Sequence, residues 1–404
     1  MKNLVIIGKV FPEPNSTAAG SRMIQLMDSF LTQNYQITFL STASISENSL
    51  DLSSKNIQFQ NILLNDNSFD ELIKNLNPEI VIFDRFTTEE QFGWRVSEQV
   101  PNAIKILDTE DLHFLRNARE KAFKQNKILE NSDLINDVFK REMASILRCD
   151  LSLIISEFEM NLLVKKFKID ENILFYLPLF GEVKKPKTSF SERKNFISIG
   201  NFLHEPNWQT ALQLKKLWKD IKKQLPEAEI HIYGAYATEK VFQLHNEKEG
   251  FIIKGRAENV ESVFNQAKIL LAPIPFGAGI KGKLLESMQF GLPNVTSAVG
   301  AEAMHGNLDW NGFITDDEND FIEKAVLLYQ DENLWRKSQE NGFNIIENRF
   351  KKELFEPHFI HKIQEISENL ESHRNQNFLG QILQHHTLQS TKYLSKWIEE
   401  KNKK

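Results

Sequence analysis

The densest chemistry in the chain lies in Pro273-Ile-Pro-Phe276-Gly277-Ala278-Gly279-Ile280-Lys281-Gly-Lys283-Leu-Leu-Glu286, which runs on to Gly291-Leu-Pro-Asn-Val-Thr296. The apolar run Ile269 to Ala272 before it reads as a buried parallel strand, and three glycines carry the chain into a helix from about Lys283. Unpaired N–H groups in such a loop, beside the positive end of a helix, suit an anion, and phosphate above all. Lys281 and Lys283 bring mobile positive charge to the same mouth. Glu286, one turn on, can accept hydrogen bonds from vicinal hydroxyls such as those of a ribose. Phosphate donors beside a hydroxyl acceptor point to a nucleotide. Gly291-Leu292-Pro293 stops the helix, and Gly300-Ala301-Glu302 opens a further turn.

A second polar group stands at Asp84-Arg85-Phe86 and at Asp108-Thr-Glu-Asp111-Leu-His113. Asp108 and Asp111 suit the N-cap of the helix that follows. His113 falls in its first turn, with Arg116 and Arg119 at helical spacing behind it. That histidine is either a functional group or a half-buried ring bonded to the turn. From Asn117 to Leu129 the helix is basic, with Arg119, Lys121, Lys124 and Lys127. Such a face is either solvated or able to hold the phosphate of a lipid-linked acceptor or an anionic membrane surface.

Alternating strands and helices must position these groups. Leu4 to Ile7 is a strand, and a long polar loop then leads through Gly20, Ser21 and Arg22 to a helix with Met23, Leu26, Met27 and Phe30 on one face. Strands follow at Gln36 to Leu40, Ile80 to Phe83, Ala103 to Leu107 and Leu151 to Ile155, with helices near Phe69 to Leu76 and after Thr87. This alternation predicts a parallel sheet covered on both faces, with ligands at the carboxyl ends of its strands. Residues 182–195 are polar and lack periodicity, as a linker does. A second alternating unit starts at Phe196, where Asn207 can cap a helix over Trp208 to Lys223. It continues through Ile230 to Tyr233, Phe251 to Lys254 with Gly255-Arg256, and helices over Asp317 to Gln330 and Asn333 to Arg349. The expected division is residues 1–181, linker 182–195, residues 196–349, and a helical segment 350–404. In the last segment His385-His386 lacks the carboxylate or cysteine pattern of a metal site, so an amphipathic packing helix is expected there.

The 404 residues, 41% of them hydrophobic and 26% charged, are enough for two cores. A formal net charge of −6 opposes general nucleic-acid binding, which concentrates basic charge. With one cysteine, Cys149, no internal disulfide can form, and a reducing compartment fits. The apolar start of the chain breaks at Gly8-Lys9, too soon for a signal peptide, and no run approaches the roughly 20 residues that span a bilayer.

The 273–304 stretch resembles the nucleotide-sugar loop of GT-B glycosyltransferases, in particular glycosyltransferase family 4. The resemblance implies an α/β GT-B fold: two Rossmann-like domains facing across a cleft, with C-terminal helices crossing back to the first. It implies a hexosyltransferase that moves a sugar from a nucleotide-sugar donor to an acceptor hydroxyl. Transfer would be retaining and metal-independent, without a cofactor, in bacterial surface glycan or polysaccharide synthesis, in the cytoplasm or at the inner face of the membrane. The acceptor would be a glycan, a lipid-linked group or a protein, with peripheral membrane contact and no nucleic acid. By the same resemblance Lys283 and Glu286 are catalytic; the segment Asp111-Leu-His-Phe-Leu-Arg-Asn-Ala-Arg119 resembles a motif of bacterial GT-B polysaccharide glycosyltransferases in which a histidine lies near the transferring sugar, which makes His113 catalytic as well. Gly20, Ser21, Arg22, Gly255, Arg256, Phe276, Gly277, Ala278, Gly279, Ile280 and Lys281 join Lys283 and Glu286 in binding the donor. Asp111, Arg116 and Arg119 bind the acceptor. One departure stands at Ala278, where the family commonly has a first glutamate that touches the donor sugar; here that contact passes to the backbone of 277–280. A non-catalytic sugar-nucleotide or glycan-binding protein, or an epimerase of the same fold, is the alternative, and retention of Lys281, Lys283 and Glu286 favours the transferase.

Overall fold

The computed structural model describes residues 2–385 and 387–401, so His386 of the histidine pair and residues 402–404 of the expected tail lie outside the described residues. The first unit alternates β1 (Lys2–Gly8), α1 (Ala18–Leu31), β2 (Tyr35–Ser41), β3 (Gln58–Asn61), α2 (Ser68–Leu76), β4 (Ile80–Asp84), α3 (Phe86–Gln99), β5 (Ile104–Asp108), α4 (His113–Lys124), α5 (Asp137–Arg148), β6 (Leu151–Ile154), α6 (Glu157–Asn161) and β7 (Leu174–Tyr176). The second runs β8 (Lys194–Ile199), α7 (Glu205–Gln224), β9 (Ile230–Tyr233), α8 (Glu239–Phe242), β10 (Phe251–Gly255), α9 (Val260–Gln266), β11 (Ala267–Ala272), α10 (Gly282–Gln289), β12 (Asn294–Thr296), α11 (Ala298–Ala301), β13 (Gly312–Ile314), α12 (Glu318–Gln330) and α13 (Glu332–Arg349).

Each unit is one parallel sheet, ordered β3-β2-β1-β4-β5-β6-β7 and β10-β9-β8-β11-β12-β13. Strands buried on both faces read as unbroken apolar runs, and Leu4-Val-Ile-Ile7 pairs with Ile37 to Leu40 on one side and Ile80 to Phe83 on the other. Strand order reverses between β1 and β4 and between β8 and β11. The loops leaving those strands diverge there and open a crevice in each sheet. The two crevices face each other.

Short strands escape the periodicity. β3, β7 and β13 are not expected from the sequence, because three or four residues carry too little pattern. β8 opens at Lys194, ahead of the expected Phe196, since Arg193 is already buried and donates to the carbonyls of Phe264, Ala267 and Phe290. The expected cap at Asn207 is absent. The helix there starts earlier, at Glu205, with Pro206 in its first turn, and Asn207 turns to other partners.

After Phe350 the chain crosses back. In α14 (Glu356–Glu368), Phe359, Ile363 and Ile366 pack with Leu4, Ile6 and Phe30 of the first unit. In α15 (Leu370–Gln376), Arg374 donates to both oxygens of Asp150 at 2.8 and 2.9 Å and to the carbonyls of Pro101 and Ala103. α16 (Phe378–Gln384) lies on α5, and α17 (Thr387–Lys401) ends the described chain.

Inside the first unit Arg22 is 1% exposed, and its Nε donates to Asp108 Oδ1 and Oδ2 at 2.8 and 3.1 Å while Nη1 donates to the Leu177 carbonyl at 2.7 Å. The donor contact expected of Arg22 is therefore not what its geometry provides: the guanidinium ties α1, β5 and the end of β7 together beneath the cleft. Ser21 also turns away, its Oγ donating to the Pro14 carbonyl at 3.0 Å. Removing one member of a buried pair strands the other charge in a medium that solvates it poorly. Asp108→Ala is expected to cost about 3–5 kcal/mol in urea unfolding. Asp108→Leu combined with Arg22→Met should recover most of that loss, and a single-mutant cost below about 1 kcal/mol would show that the pair does not hold the unit together.

Candidate active site

The cleft between the sheets is a cavity of about 610 Å³ whose walls come from both switch points. The loop after β1 and the ends of β4 and β5 form one wall. The ends of β8 and β9 with residues 274–283 form the other.

α10 begins at this cavity. Its N-cap, Lys281, makes no side-chain capping bond, so the first N–H groups of the helix are left for a ligand. Lys283 Nζ donates to Asn207 Oδ1 at 2.7 Å, and Glu286 stands one turn further on the same helix face. Burial pulls the Lys283 ammonium down to about 8, with Glu286 opposing, and the same burial pushes the Glu286 carboxyl up to about 7, with Lys283 opposing. Lys281 is held down at about 8, again by burial. Its Nζ folds onto its own loop, donating to the Gly279 carbonyl at 2.8 Å. Phe276, Gly277, Ala278, Gly279 and Ile280 all line the cavity.

This loop is clamped from the opposite domain. Glu159 Oε1 accepts the Gly279 N–H at 2.9 Å and the Leu112 N–H at 3.0 Å. The amide of Gly279 is thus occupied by a protein carboxyl. Gly279 has φ +64°, and a Cβ there would sit 2.9 Å from the Asp111 Cβ, so conformation and space both require glycine. Arg119, expected to bind acceptor, instead makes a two-pronged pair with Glu302 at 2.8 and 2.7 Å and donates to the Gly277 carbonyl at 2.7 Å. It is an interdomain strut.

On the facing wall the helix cap expected of Asp108 and Asp111 comes from elsewhere. Glu142 of α5 accepts the N–H of His113 at 3.0 Å and of Phe114 at 2.9 Å, and Leu112 occupies the N-cap position. Asp108 is taken by Arg22. Asp111 pairs with Arg116 at 2.5 Å, and although burial pushes the Asp111 carboxyl up, Arg116 and His113 hold it down at about 2. Asp111, His113 and Arg116 all line the cavity. His113 Nδ1 faces two acceptors, the Asp111 carbonyl at 2.9 Å and Glu142 Oε1 at 3.2 Å. An Nδ1–H donor suits both, which leaves Nε2 for the cleft.

Gly20 and Arg256 reach the cavity; Gly255, with φ +69°, sits beside it and shapes the turn that carries Arg256. α4 stops at Lys124 rather than near Leu129, and Lys124 and Lys127 pair with Glu120 and Asp133, so the basic face is shorter and less charged than its composition implies. Among the described residues no group of three or more His, Cys, Asp or Glu could hold a metal ion, and no described helix is long and apolar enough to cross a membrane. Sequence reasoning missed Glu142, Glu159 and His204. The two glutamates sit on helices with no local sign of the loops they meet, and His204, just ahead of α7, reaches the cleft only through the way the two units face each other.

Glu159 carries a testable consequence. Burial first, and the Asp111 charge second, raise its carboxyl to about 8, against the two backbone N–H bonds that lower it. Because the folded pKa lies above the unfolded value of 4.5, the acid stabilises the fold below about 4.5, and that contribution is lost as pH rises toward 8. Glutamine keeps the Oε1 acceptor and removes the titration. Glu159→Gln should therefore gain on wild type between pH 5 and 8, by up to about 1.4 kcal/mol per pH unit in parallel unfolding curves. A constant difference across that range would show that Glu159 is ionised throughout.

Residues 193–331 match the family model described as Glycosyl transferases group 1. A comparison with curated proteins gave no match. Among solved structures the chain is similar to a sucrose-phosphate synthase from Thermosynechococcus elongatus, with 13% identity over 91% of this chain and 99% of that one and a TM-score of 0.68. TarM gives 10% identity over 90% and 99%, with a TM-score of 0.71. The pneumococcal O-GlcNAc transferase GtfA, solved with UDP and GlcNAc, gives 14% over 90% and 99%, with a TM-score of 0.68. At these identities the likeness is one of fold, and with the family match it shows that the chain carries a glycosyl transferases group 1 domain over residues 193–331 within a GT-B fold.

Proposed function

We propose that the protein transfers a hexosyl group from a nucleotide sugar to an acceptor hydroxyl, with retention and without a metal ion, in the synthesis of a bacterial surface glycan. One observation carries this reading: the open N-terminus of α10, Lys283 and Glu286 converge on one side of a cavity whose other side holds His113 with a free Nε2. As the bond from sugar to diphosphate breaks, negative charge grows on the leaving oxygen, and Lys281, Lys283 and the first amides of α10 supply the positive charge that stabilises it. Glu286 suits the ribose hydroxyls. Ala278 brings no carboxylate toward the sugar, which agrees with a front-face displacement in which the acceptor proton passes to the departing phosphate oxygen and configuration is retained. The His113 Nε2 lone pair can accept from a sugar hydroxyl, with Asp111 and Arg116 beside it for the acceptor. The free, buried Cys149 fits a cytoplasmic site of action. Exposed Phe123 and Ile128 beside Lys121 fit peripheral contact with a membrane that presents a lipid-linked acceptor.

Hydrolysis of a panel of UDP-, GDP-, ADP- and dTDP-sugars is the direct test, and turnover of none of them would remove the reading. With the donor so found, Lys283→Ala and Glu286→Ala should each lower turnover by roughly a hundredfold, and the double mutant should not be additive. Wild-type turnover in either at saturating donor would show that α10 is not the donor site. His113→Ala should lower kcat while nucleotide affinity by calorimetry stays near wild type; full-rate transfer would make His113 a structural residue.

Nucleotide affinity should also depend on pH. A bound diphosphate favours the charged form of Lys281 and Lys283, which lose their protons near 8. The dissociation constant of UDP should rise above about pH 8 by up to about tenfold per unit for each lysine engaged. A flat profile between pH 6.5 and 9.5 would mean that neither lysine meets the phosphates.

A further inference from the structure

Arg85 and Glu110 follow the paired strands β4 and β5 and share an unusual backbone, with φ of +71° and +61°. Outside glycine this left-handed region is strained and persists where the surroundings impose it, most often at binding sites. Here it leaves both side chains lining the cleft beneath His113. Glu110 is only 9% exposed, and its Oε1 is sealed from solvent with no hydrogen-bond donor. Asp84 beside it accepts from the Lys9 N–H at 3.0 Å and from Arg85 at 2.9 Å through Oδ2, while its Oδ1 is left in the same unmet state. Buried polar atoms without partners are unfavourable, so this corner is short of hydrogen-bond partners.

Its charges also discriminate. An anionic group entering here would face Asp84. An ammonium would face Arg85, Arg116 and Lys9. A hydroxylated ring brings donors without either conflict.

We propose that Glu110 is a specificity-determining residue of the acceptor subsite, and that it selects an uncharged, polyhydroxylated ring by exchanging hydrogen bonds with its hydroxyls. Burial, then the Asp108 charge, raise the Glu110 carboxyl to about 8, with Arg85 opposing. At neutral pH it is thus a neutral acid that donates and accepts at once, as a sugar hydroxyl does. The inference takes from the sugar-transfer reading only the assignment of this corner to the acceptor.

Three methyl glycosides that differ in charge serve as probes: methyl glucoside, methyl glucosaminide as the cation and methyl glucuronide as the anion. Saturation-transfer NMR with the full chain and UDP measures the binding of each. The expected wild-type signal is strongest for methyl glucoside. Glu110→Gln, which keeps a neutral donor and acceptor, should retain that signal, and Glu110→Ala should cut it at least about fivefold. Thermal melts confirm that both variants are folded, and the wild-type ranking tests the ligand class without any variant. Equal signals from the three probes, no signal from any, a charged glycoside binding best, or a Glu110→Ala signal equal to wild type would each overturn the proposal. If the glycoside pattern holds while no nucleotide sugar is hydrolysed, the sugar-transfer reading fails and Glu110 keeps its role as a polyol contact.

Discussion

Glu159 Oε1 accepts two backbone amides that belong to opposite sides of the cleft, Leu112 from the first unit and Gly279 from the second. Much of the site depends on that oxygen. The Leu112 amide sits just ahead of α4 and so fixes where His113 starts its turn. The Gly279 amide lies in the loop that delivers Lys281 and Lys283 to the start of α10. One buried acceptor therefore sets the separation between the two walls. Arg119 repeats the arrangement with the opposite chemistry, a cation from the first unit held by Glu302 and the Gly277 carbonyl of the second. Between them the anchors meet both N–H and C=O groups of a short loop that has no secondary structure to satisfy them.

The seam adds directional polar contacts to an apolar cluster that both units share. Each sheet has its own apolar layers on both faces, and α14 is sealed into the first unit by Phe359 against Phe30 and Phe175. Across the cleft, polar contacts specific in direction lie beside apolar ones, with Ile155 and Leu179 packed in one buried cluster with Ile280 and Leu284, and Phe123 against Phe276. At the far rim Tyr236, itself at φ +58°, donates to Glu13 and accepts from Asn48. Apolar layers keep each unit rigid because any displacement exposes surface. Polar seams hold a geometry yet exchange for water at modest net cost.

What could be read from the chain follows the range over which each determinant acts. Leu4 to Ile7 and Ile80 to Phe83 declare themselves as strands because burial on both faces needs consecutive apolar residues, and the 277–286 loop is legible because glycine, lysine and glutamate at fixed offsets share one helix start. Arg22 was misjudged for the opposite reason. An arginine beside a loop looks like a ligand contact, and only the fold reveals Asp108 beneath it, 86 residues away. Arg119 and Glu302 are 183 residues apart, and Glu142 reaches the start of α4 from the following helix. No local rule distinguishes such pairs from surface charges. β3, β7 and β13 stayed hidden because a strand of three or four residues carries less pattern than the noise of a loop.

The electrostatics of the cleft explain why it is built of both signs. Burial drives Lys281 and Lys283 down and Glu286, Glu159 and Glu110 up, so each group sits closer to neutrality than it would in water. A site prepared for charge alone would leave its lysines exposed and fully protonated, and would gain little when a phosphate displaced their water. Here the lysines are already desolvated, and an arriving diphosphate restores the partner that burial removed. Of the acids, Glu286 and Glu110 line the cavity, where a neutral carboxyl can meet hydroxyls without repelling phosphates nearby, while Glu159 is taken by the backbone. On the proposed reading, the lysines of the second unit would meet phosphates, and Glu286 and Glu110, one from each unit, would meet hydroxyls. On that reading a sugar between the diphosphate and the acceptor would be held where the dielectric falls, so that charge passing to the leaving oxygen would be stabilised most strongly.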